Sequence, residues 1–410
     1  MITNGHGFGP PAWICSQIGA REHYAVPRTL HQRGRLAGLI TDWYATRRTT
    51  PRWFGQSGRA ARAARAEGIP DDLVHAFPLR SLLWKWQIRR SGARGRLHEG
   101  YAKTDGAFAA TTAQLKLPPH KMFFGYAYAS LEMLAAEKKR GISTVLDQID
   151  PGAVEFQLVA EEMQRFPEVA GLPPKFPDAY YERNHREWAL ADRIVVNSEF
   201  CRQALVSQGV PMEKLTVIPL CYDPDKKPLL EKKTRRPEHP LRVLFLGQVI
   251  IRKGIHYLIE AARKLEHEPV HFDVVGPIGV LPAVVSTAPR NVTFHGRATR
   301  DQAAAWYRGA DLFLLPTLSD GFAITQLEAM AHGLPVVTTP CCGEVVTEGL
   351  DGFIVPPRDS DTLAKTLMRY LEEPELLKAQ RQSALTKSGQ FTQERLANNL
   401  HGVETALLSR

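Results

Sequence analysis

Short apolar runs alternate with helix-like stretches along most of the chain, and this alternation limits the folds that its 410 residues can adopt. In the first half, residues 12–16, 121–127 and 193–197 have the length and composition of buried strands. Two stretches that follow such runs, 24–33 and 199–208, have helical spacing. Because a β-α-β rhythm implies a parallel sheet with helices on both faces, the sequence predicts an α/β fold.

The alternation stops at residues 223–240 and then starts again. This segment has four prolines, no glycine and a charged run at 231–236, a composition typical of an interdomain linker. Beyond it, strand-like runs return at 242–246 and 271–275, each followed later by further helix-like stretches. The break therefore indicates two α/β units joined by one linker.

These boundaries predict an organisation for the whole chain. We expect an N-terminal domain over residues 1–222, the linker over 223–240 and a second α/β domain over 241–390. The last residues, 391–410, are expected to be helical and to return toward the N-terminal domain. Two similar domains that flank one linker make the cleft between them the natural binding site.

Composition excludes several other classes of protein. No window contains about 18 uninterrupted apolar residues, so we expect no transmembrane helix. Residues 1–11 lack the charged and apolar regions of a secretory signal. Five cysteines, two of them adjacent, form no disulfide pattern, and this favours a reducing, cytoplasmic location.

The positive charge is concentrated near the N-terminus. The net charge is +9, but residues 1–120 contain 18 Lys/Arg and only 7 Asp/Glu. The charge peaks at 47–65 and 85–96, close to Trp53, Trp84 and Trp86. This pattern favours peripheral contact with an anionic membrane, at its inner face, or with an anionic acceptor. Nucleic acid binding and a solvated Arg-rich face are the alternatives.

The segment 311–340 has the pattern of a strand, a loop and then a helix. Gly321 permits a close approach of the backbone, and free N–H groups at a helix start attract anions. Asp320 and Glu328 are eight residues apart, which suits carboxylates that bind sugar hydroxyls. The alternative is that Asp320 caps the helix and Glu328 is solvated.

The segment 241–265 contains a second candidate anion site. A strand ends at Gly247, and Arg252 and Lys253 precede an amphipathic helix. Cations beside a helix N-terminus can bind phosphate, although they can also be solvated. Both segments follow parallel strands, whose carboxyl ends bind ligands in open α/β sheets.

One metal motif fits poorly. Residues 267–271 read His-Glu-Pro-Val-His, but the proline breaks the helix that a zinc site of this type needs. We therefore predict no metal site and no cofactor. The sequence also lacks the P-loop and Gly-x-Ser-x-Gly motifs, which weakens ATPase and serine-hydrolase interpretations.

Over residues 241–390 the chain resembles the donor domain of GT4-type retaining glycosyltransferases, the group 1 family. The resemblance rests on GQVIIRKGIHYLIEAARKL, FHGRATRDQAAAWYRGADLFLLPTLSDGFAITQLEAMAHGLPVVTTP and GLDGFIVPP, which occur in the family's order. It is weaker at 191–225 and faint before residue 140. It implies the GT-B fold, with two Rossmann-like domains facing a central cleft.

The resemblance also implies roles for individual residues. Arg252 and Lys253 would contact the donor diphosphate, although Gln248 stands where the family has its first Arg. Glu328 would bind the ribose hydroxyls, and Asp320 would approach the transferred sugar. The remaining implied donor contacts come from backbone and glycine positions, namely Gly247, Gly321, Phe322, Ala323, Ile324 and Thr325.

The N-terminal half departs more from the family. Gly19 would lie in the loop near the donor phosphate and the acceptor. Where many relatives have a catalytic His, the sequence reads Leu-Asp-Gln-Ile-Asp at 146–150. Asp147 or Asp150 takes that role, or the role is absent.

The resemblance implies transfer of a sugar, with retention, from a UDP-, GDP- or ADP-sugar to a hydroxyl acceptor. The acceptor would be a sugar, a glycan or a lipid-linked molecule. A front-face mechanism without an assured enzyme nucleophile would follow. Two alternatives remain open: a sugar-nucleotide epimerase of the same fold, and a catalytically silent sugar-nucleotide or nucleic-acid binding protein.

Overall fold

The strands form two separate parallel sheets. A computed structural model describes residues 10, 12–44, 68–94, 96–173, 178–222 and 239–409. The strands of the first sheet are β1 (Trp13–Gln17), β2 (Leu36–Thr41), β3 (Val74–Ala76), β4 (Met122–Tyr126), β5 (Ser143–Gln148), β6 (Arg193–Val196) and β7 (Leu215–Val217). Those of the second sheet are β8 (Leu241–Leu246), β9 (Val270–Val275), β10 (Val292–Gly296), β11 (Leu312–Leu315), β12 (Val336–Thr338) and β13 (Gly352–Ile354).

Helices lie in most of the described connections between successive strands and follow the last strand. Those of the first half are Ala25–Gln32, Pro78–Gly92, Leu97–Thr112, Leu131–Lys139, Ala153–Arg165, Pro167–Ala170, Asp178–Leu190 and Glu199–Ser207. Those of the second half are Ile255–Lys264, Pro282–Ser286, Arg300–Gly309, Ile324–Ala331, Ser360–Glu372, Pro374–Ser388 and Gln393–Leu408.

The two sheets share one strand order over six strands, and the first sheet has a seventh strand, β7, at its edge. Among the described residues, the strand orders are β3-β2-β1-β4-β5-β6-β7 and β10-β9-β8-β11-β12-β13, with parallel pairing throughout. The order reverses between β1 and β4 in one sheet and between β8 and β11 in the other. Such a switch point opens a crevice at the carboxyl ends of the strands, where ligands bind. The predicted α/β fold is confirmed.

Burial on both faces explains why the central strands read as apolar runs. All residues of β1 and β11 are buried, since helices cover both faces of each sheet. The strands predicted at 12–16, 121–127 and 193–197 correspond to β1, β4 and β6, with ends that differ by one residue. β2 and β3 were not predicted.

Packing crosses the linker in both directions. Val169, from the first half of the sequence, belongs to the core cluster of the second sheet, and Val159 and Met163 pack against that cluster. Conversely, Leu396 and Leu400 of the last long helix belong to a core cluster of the first sheet. The predicted boundary at residue 222 therefore does not separate the two cores, because each core also contains residues from the other side of that boundary.

Several sequence predictions fall outside the described residues. These are the basic stretch 47–65 with Trp53 and most of the linker, 223–238. Within the described part of the chain, no helix is long and apolar enough to span a membrane.

Candidate functional site

Two loops meet at the switch point of the second sheet. The loop after β8 carries Arg252 and Lys253, and the loop after β11 carries Asp320. Leu318 N–H donates to Arg252 O at 2.9 Å, which joins the loops side by side. At Gly254 (φ 71°) a Cβ atom would lie 1.8 Å from Pro316 O, so only glycine permits this approach. The sequence thus brings the two predicted cations next to the predicted carboxylate.

The cations are enclosed by negative and polar groups. Lys253 Nζ directly contacts Asp320 Oδ2, and Arg252 Nη1 lies 3.7 Å from Asp320 Oδ1. Arg252 Nη1 also donates to Ser319 O at 2.9 Å. Burial, and then the charge of Arg252, lower the pKa of Lys253. The charge of Glu155 opposes this shift, and the contact with the Asp320 carboxylate pairs Lys253 with a negative group.

A carboxylate that the sequence analysis did not predict completes this cluster. Glu155, at the start of helix Ala153–Arg165, accepts from Arg252 Nη1 at 3.1 Å and from Ser319 Oγ at 2.8 Å, both through Oε2. Burial raises the pKa of Glu155, the Arg252 charge lowers it and Asp150 raises it, and the net shift is upward. A guanidinium and a hydroxyl that converge on one oxygen also suit a phosphate oxygen.

The loop after β11 leads into helix Ile324–Ala331 and leaves several N–H groups open. Asp320 N–H donates to Cys341 O at 2.8 Å, and Ala323 N–H donates to Cys342 O at 3.2 Å. The Ala323 N–H group is therefore already satisfied, which differs from its predicted role as an anion donor. Within the described residues, the N–H groups of Phe322, Ile324 and Thr325 have no protein acceptor. They form the helix start predicted to attract an anion.

Glu328 lies one turn further along the same helix, half-buried. Its Oε2 accepts from the Tyr307 hydroxyl at 2.7 Å. Burial, and then the Glu328 charge, raise the pKa of Tyr307, so this hydroxyl remains a hydrogen-bond donor. Tyr307 fixes one carboxylate oxygen of Glu328, and sequence reasoning missed this partner. In the sequence, only the apolar helix pattern around Tyr307 indicated that this residue would be buried.

The remaining predicted glycines lie at strand ends. Gly247 follows β8, and its N–H donates to Val275 O at 2.9 Å. Gly19 follows β1, and its N–H donates to Asp42 Oδ1 at 2.7 Å. Gly321 touches the first domain, because a Cβ atom there would lie 2.1 Å from Ile149 O. The carboxyl ends of the two sheets therefore face each other at Gly321.

The two aspartates weighed for the missing His have different surroundings. Asp150 is next to Ile149, and its Oδ1 accepts from Tyr128 Oη at 2.8 Å and from Gly152 N–H at 2.9 Å. Asp147 is buried and lines a small cavity with Glu22 and Phe124. Burial, and then the Glu22 charge, raise the pKa of Asp147. We call the loops after β8 and β11 the donor-side loops. Of the two aspartates, Asp150 is the one next to these loops, because its neighbour Ile149 lies against Gly321.

The zinc motif is not assembled. His271 lies on strand β9, whereas His267 precedes that strand, so the two do not share a helical face. Among the described residues, no group of three or more His, Cys, Asp or Glu is arranged to bind a metal ion.

Known proteins resemble the chain both in sequence and in fold. Residues 240–373 match the family model Glycosyl transferases group 1. This part of the chain is therefore similar to the group 1 glycosyl transferases. The chain is 30% identical over 201 residues to the amylovoran biosynthesis glycosyltransferase AmsK of Erwinia amylovora. The aligned residues are 45% of the chain and 48% of that relative.

Two more relatives show the same partial coverage. The chain is 29% identical to the putative colanic acid biosynthesis glycosyltransferase WcaL of Salmonella typhimurium over 195 residues, which is 44% of the chain and 47% of that protein. It is 26% identical over 231 residues to a D-inositol 3-phosphate glycosyltransferase of Streptomyces griseus, which is 50% of the chain and 49% of that protein. The chain thus spans about half the length of the curated relatives it matches.

Solved structures share the whole fold. Anabaena Alr3699/HepE in complex with UDP has a TM-score of 0.62 at 17% identity, over 97% of the chain and 100% of that protein. Sucrose-phosphate synthase from Thermosynechococcus elongatus has a TM-score of 0.62 at 16% identity, over 97% of the chain and 99% of that protein. The fold is GT-B, and the predicted two Rossmann-like domains facing a cleft are confirmed.

Proposed function

We propose that the protein is a retaining glycosyltransferase that moves a sugar from a nucleotide diphosphate-sugar to a hydroxyl acceptor. The observation that carries this proposal is the contact of Arg252 and Lys253 with the loop that leads into helix Ile324–Ala331. These groups lie at a topological switch point, where an α/β sheet binds ligands. Their positive charge and open N–H groups match a diphosphate.

The reaction chemistry uses this positive charge. The bond between sugar C1 and the diphosphate oxygen breaks, and the acceptor oxygen bonds to C1 on the same face. The acceptor's proton passes to the departing diphosphate oxygen, so no enzyme nucleophile is needed. Arg252, Lys253 and the helix start stabilise the charge that develops on the diphosphate. No cofactor takes part, since the nucleotide-sugar is a substrate.

Other side chains have positions that suit the two ends of the donor. Glu328, oriented by Tyr307, would accept hydrogen bonds from the ribose hydroxyls. Asp320, held beside Lys253, would approach the transferred sugar. Asp150 would face that sugar from the first domain, where the acceptor would bind.

The donor base and the acceptor are open to experiment. Because Anabaena Alr3699/HepE was solved with UDP, UDP-sugars are the first donors to test. A sugar, a glycan or a lipid-linked molecule would serve as acceptor. We place the reaction in the cytoplasm, in keeping with the cysteine pattern.

A donor screen tests the proposal. UDP-, GDP- and ADP-sugars are compared by thermal shift, and the best ligand is then incubated with the protein while nucleoside diphosphate release is measured. We expect one donor class to stabilise the fold and to be hydrolysed slowly without acceptor. Conversion to an epimeric sugar would instead indicate an epimerase, and binding without any turnover would indicate a silent binding protein.

A further inference from the structure

Helix Pro78–Gly92 has apolar side chains on two opposite faces. On one face, Ser81 and Trp84 are buried, and the Trp84 ring packs edge-on against Phe77 and Phe108. Trp84 is thus a core residue, which corrects the expectation that it contributes to an outer surface. A helix on the surface of a globular protein normally has only one apolar face. The second apolar face of this helix needs an explanation.

The outward face is formed by four large apolar side chains at helical spacing i, i+3, i+4 and i+7. They are between 58% and 78% exposed. This docking face consists of Leu79, Leu82, Leu83 and Trp86. Four adjacent exposed side chains of this size form a contiguous apolar patch, and such patches mark interaction sites.

Cations surround the docking face. Residues 78–96 contain no Asp or Glu. The flanking cations are Arg80, Lys85, Arg89, Arg90, Arg94 and Arg96, all of them exposed. The Arg90 guanidinium lies over the Trp86 ring at 5.1 Å from its centroid, so cation and aromatic share one surface. The surface is therefore apolar at its centre and positive around it.

We propose that the docking face binds an anionic lipid bilayer, with its four apolar side chains in the headgroup layer and the flanking cations over lipid phosphates. Leu and Trp beside Lys and Arg are the composition of a helix that lies in a membrane interface. The charge of the flanking cations is complementary to the negative surface of such a bilayer.

Two other occupants fit this surface less well. A second copy would use the same patch on both subunits and would bring six cations against six. A stable protein interface also takes about 20–30 residues from each partner, many more than this face offers. A nucleic acid would pair with the cations but would leave the apolar centre without a partner.

The buried face of the same helix is connected to the cleft. Ser81 Oγ, in the first turn of the helix, donates to Asp42 Oδ2 at 3.1 Å. The other oxygen of Asp42 accepts from Gly19 N–H, in the loop after β1. The Asp42 carboxylate thus links the helix that carries the docking face to the loop predicted to lie near the acceptor. This arrangement would suit a lipid-linked acceptor.

Vesicle sedimentation tests the proposal without donor or acceptor, so its outcome is independent of glycosyl transfer. The full chain is mixed with phosphatidylcholine vesicles, with or without phosphatidylglycerol, at low and high salt. We expect binding only to the anionic vesicles, decreasing as salt rises. A protein that stays in the supernatant with anionic vesicles at low salt overturns the proposal.

Two variants separate the apolar and the charged contributions. Leu82→Ser/Leu83→Ser/Trp86→Ser should lower the partition coefficient at least about tenfold, since it removes the apolar insertion. Arg89→Gln/Arg90→Gln should lower it about 25-fold, at about fivefold for each cation. The matched controls are Leu350→Ser, at an exposed leucine of the second domain, and Lys365→Gln/Lys378→Gln.

The controls also define how the proposal fails. Each variant is first shown to keep the thermal unfolding midpoint of the wild type. If the serine variant binds vesicles as well as the wild type does, insertion of the docking face is wrong. If the wild type is a dimer by analytical ultracentrifugation and the serine variant is a monomer, the face binds a second copy instead.

Discussion

Glu155→Gln should strengthen binding of a nucleoside diphosphate. Glu155 Oε2 accepts from Arg252 Nη1 at 3.1 Å, and a donor phosphate would compete for the same guanidinium. The two side chains are only 18% and 22% exposed, so both lose hydration when they form this pair. A charged hydrogen bond contributes about 1.5–3 kcal/mol, and the desolvation of both groups leaves a net gain of about 1 kcal/mol. Removing the charge should therefore lower the dissociation constant about fivefold.

Isothermal titration of UDP into both proteins measures this effect. The control is Glu132→Gln, since Glu132 forms a similar pair with Arg183, with oxygens 2.6 and 2.9 Å from the guanidinium nitrogens, in the first domain away from the donor-side loops. That variant should leave UDP affinity unchanged. If Glu155→Gln weakens UDP binding, the carboxylate orients Arg252 for the ligand, and the competition argument is refuted.

Three further changes test other parts of the site. Glu328→Ala should cost about 2–4 kcal/mol of transition-state binding, because a charged acceptor is lost; a wild-type kcat/KM would contradict its assignment. Lys253→Gln should raise the donor KM and lower kcat about 100-fold, and wild-type turnover should persist in excess EDTA; strict Mg²⁺ dependence would oppose this. Burial raises the pKa of Asp147, and it raises that of Glu22 to about 7, so ionising this pair destabilises the fold as pH rises. Asp147→Asn should therefore raise the free energy of unfolding by about 1–3 kcal/mol at pH 8 and much less near pH 4, measured by urea unfolding; an equal effect at both would refute this.

The fold could be predicted wherever burial imposed a simple pattern on the sequence. Strands such as β1 and β11 are buried on both faces and read as apolar runs of the expected length. β3 was missed because three residues are too few to show a period. Helix Pro78–Gly92 was missed because its apolar residues lie on two faces and so show no single stripe.

The candidate site could be predicted only where its chemistry is local. Arg252 and Lys253 stand beside a helix start, and Asp320 and Glu328 flank another, so short segments point to them. Glu155 lies 97 residues before Arg252, and no local pattern relates the two. The contact depends on how the domains meet, which the family resemblance did not specify either.

Helix Ala153–Arg165 shows why Glu155 belongs to the donor half. The same helix buries Glu162, whose Oε1 lies 3.0 Å from His256 Nε2 of the second domain. Its Oε2 lies 2.7 Å from Arg358 Nε. Attractions from His256, Tyr257 and Arg358 outweigh burial and lower the pKa of Glu162, so it remains charged.

This buried cluster anchors the helix to the second domain, with further support from Val169 O, which accepts from Leu281 N–H at 2.8 Å. Breaking a buried ion pair costs about 3–5 kcal/mol. Any opening of the cleft that separates the two sheets should therefore leave the helix on the second domain. Glu155 would then stay beside Arg252 in the open state, and an incoming diphosphate would meet the carboxylate before the cleft closes.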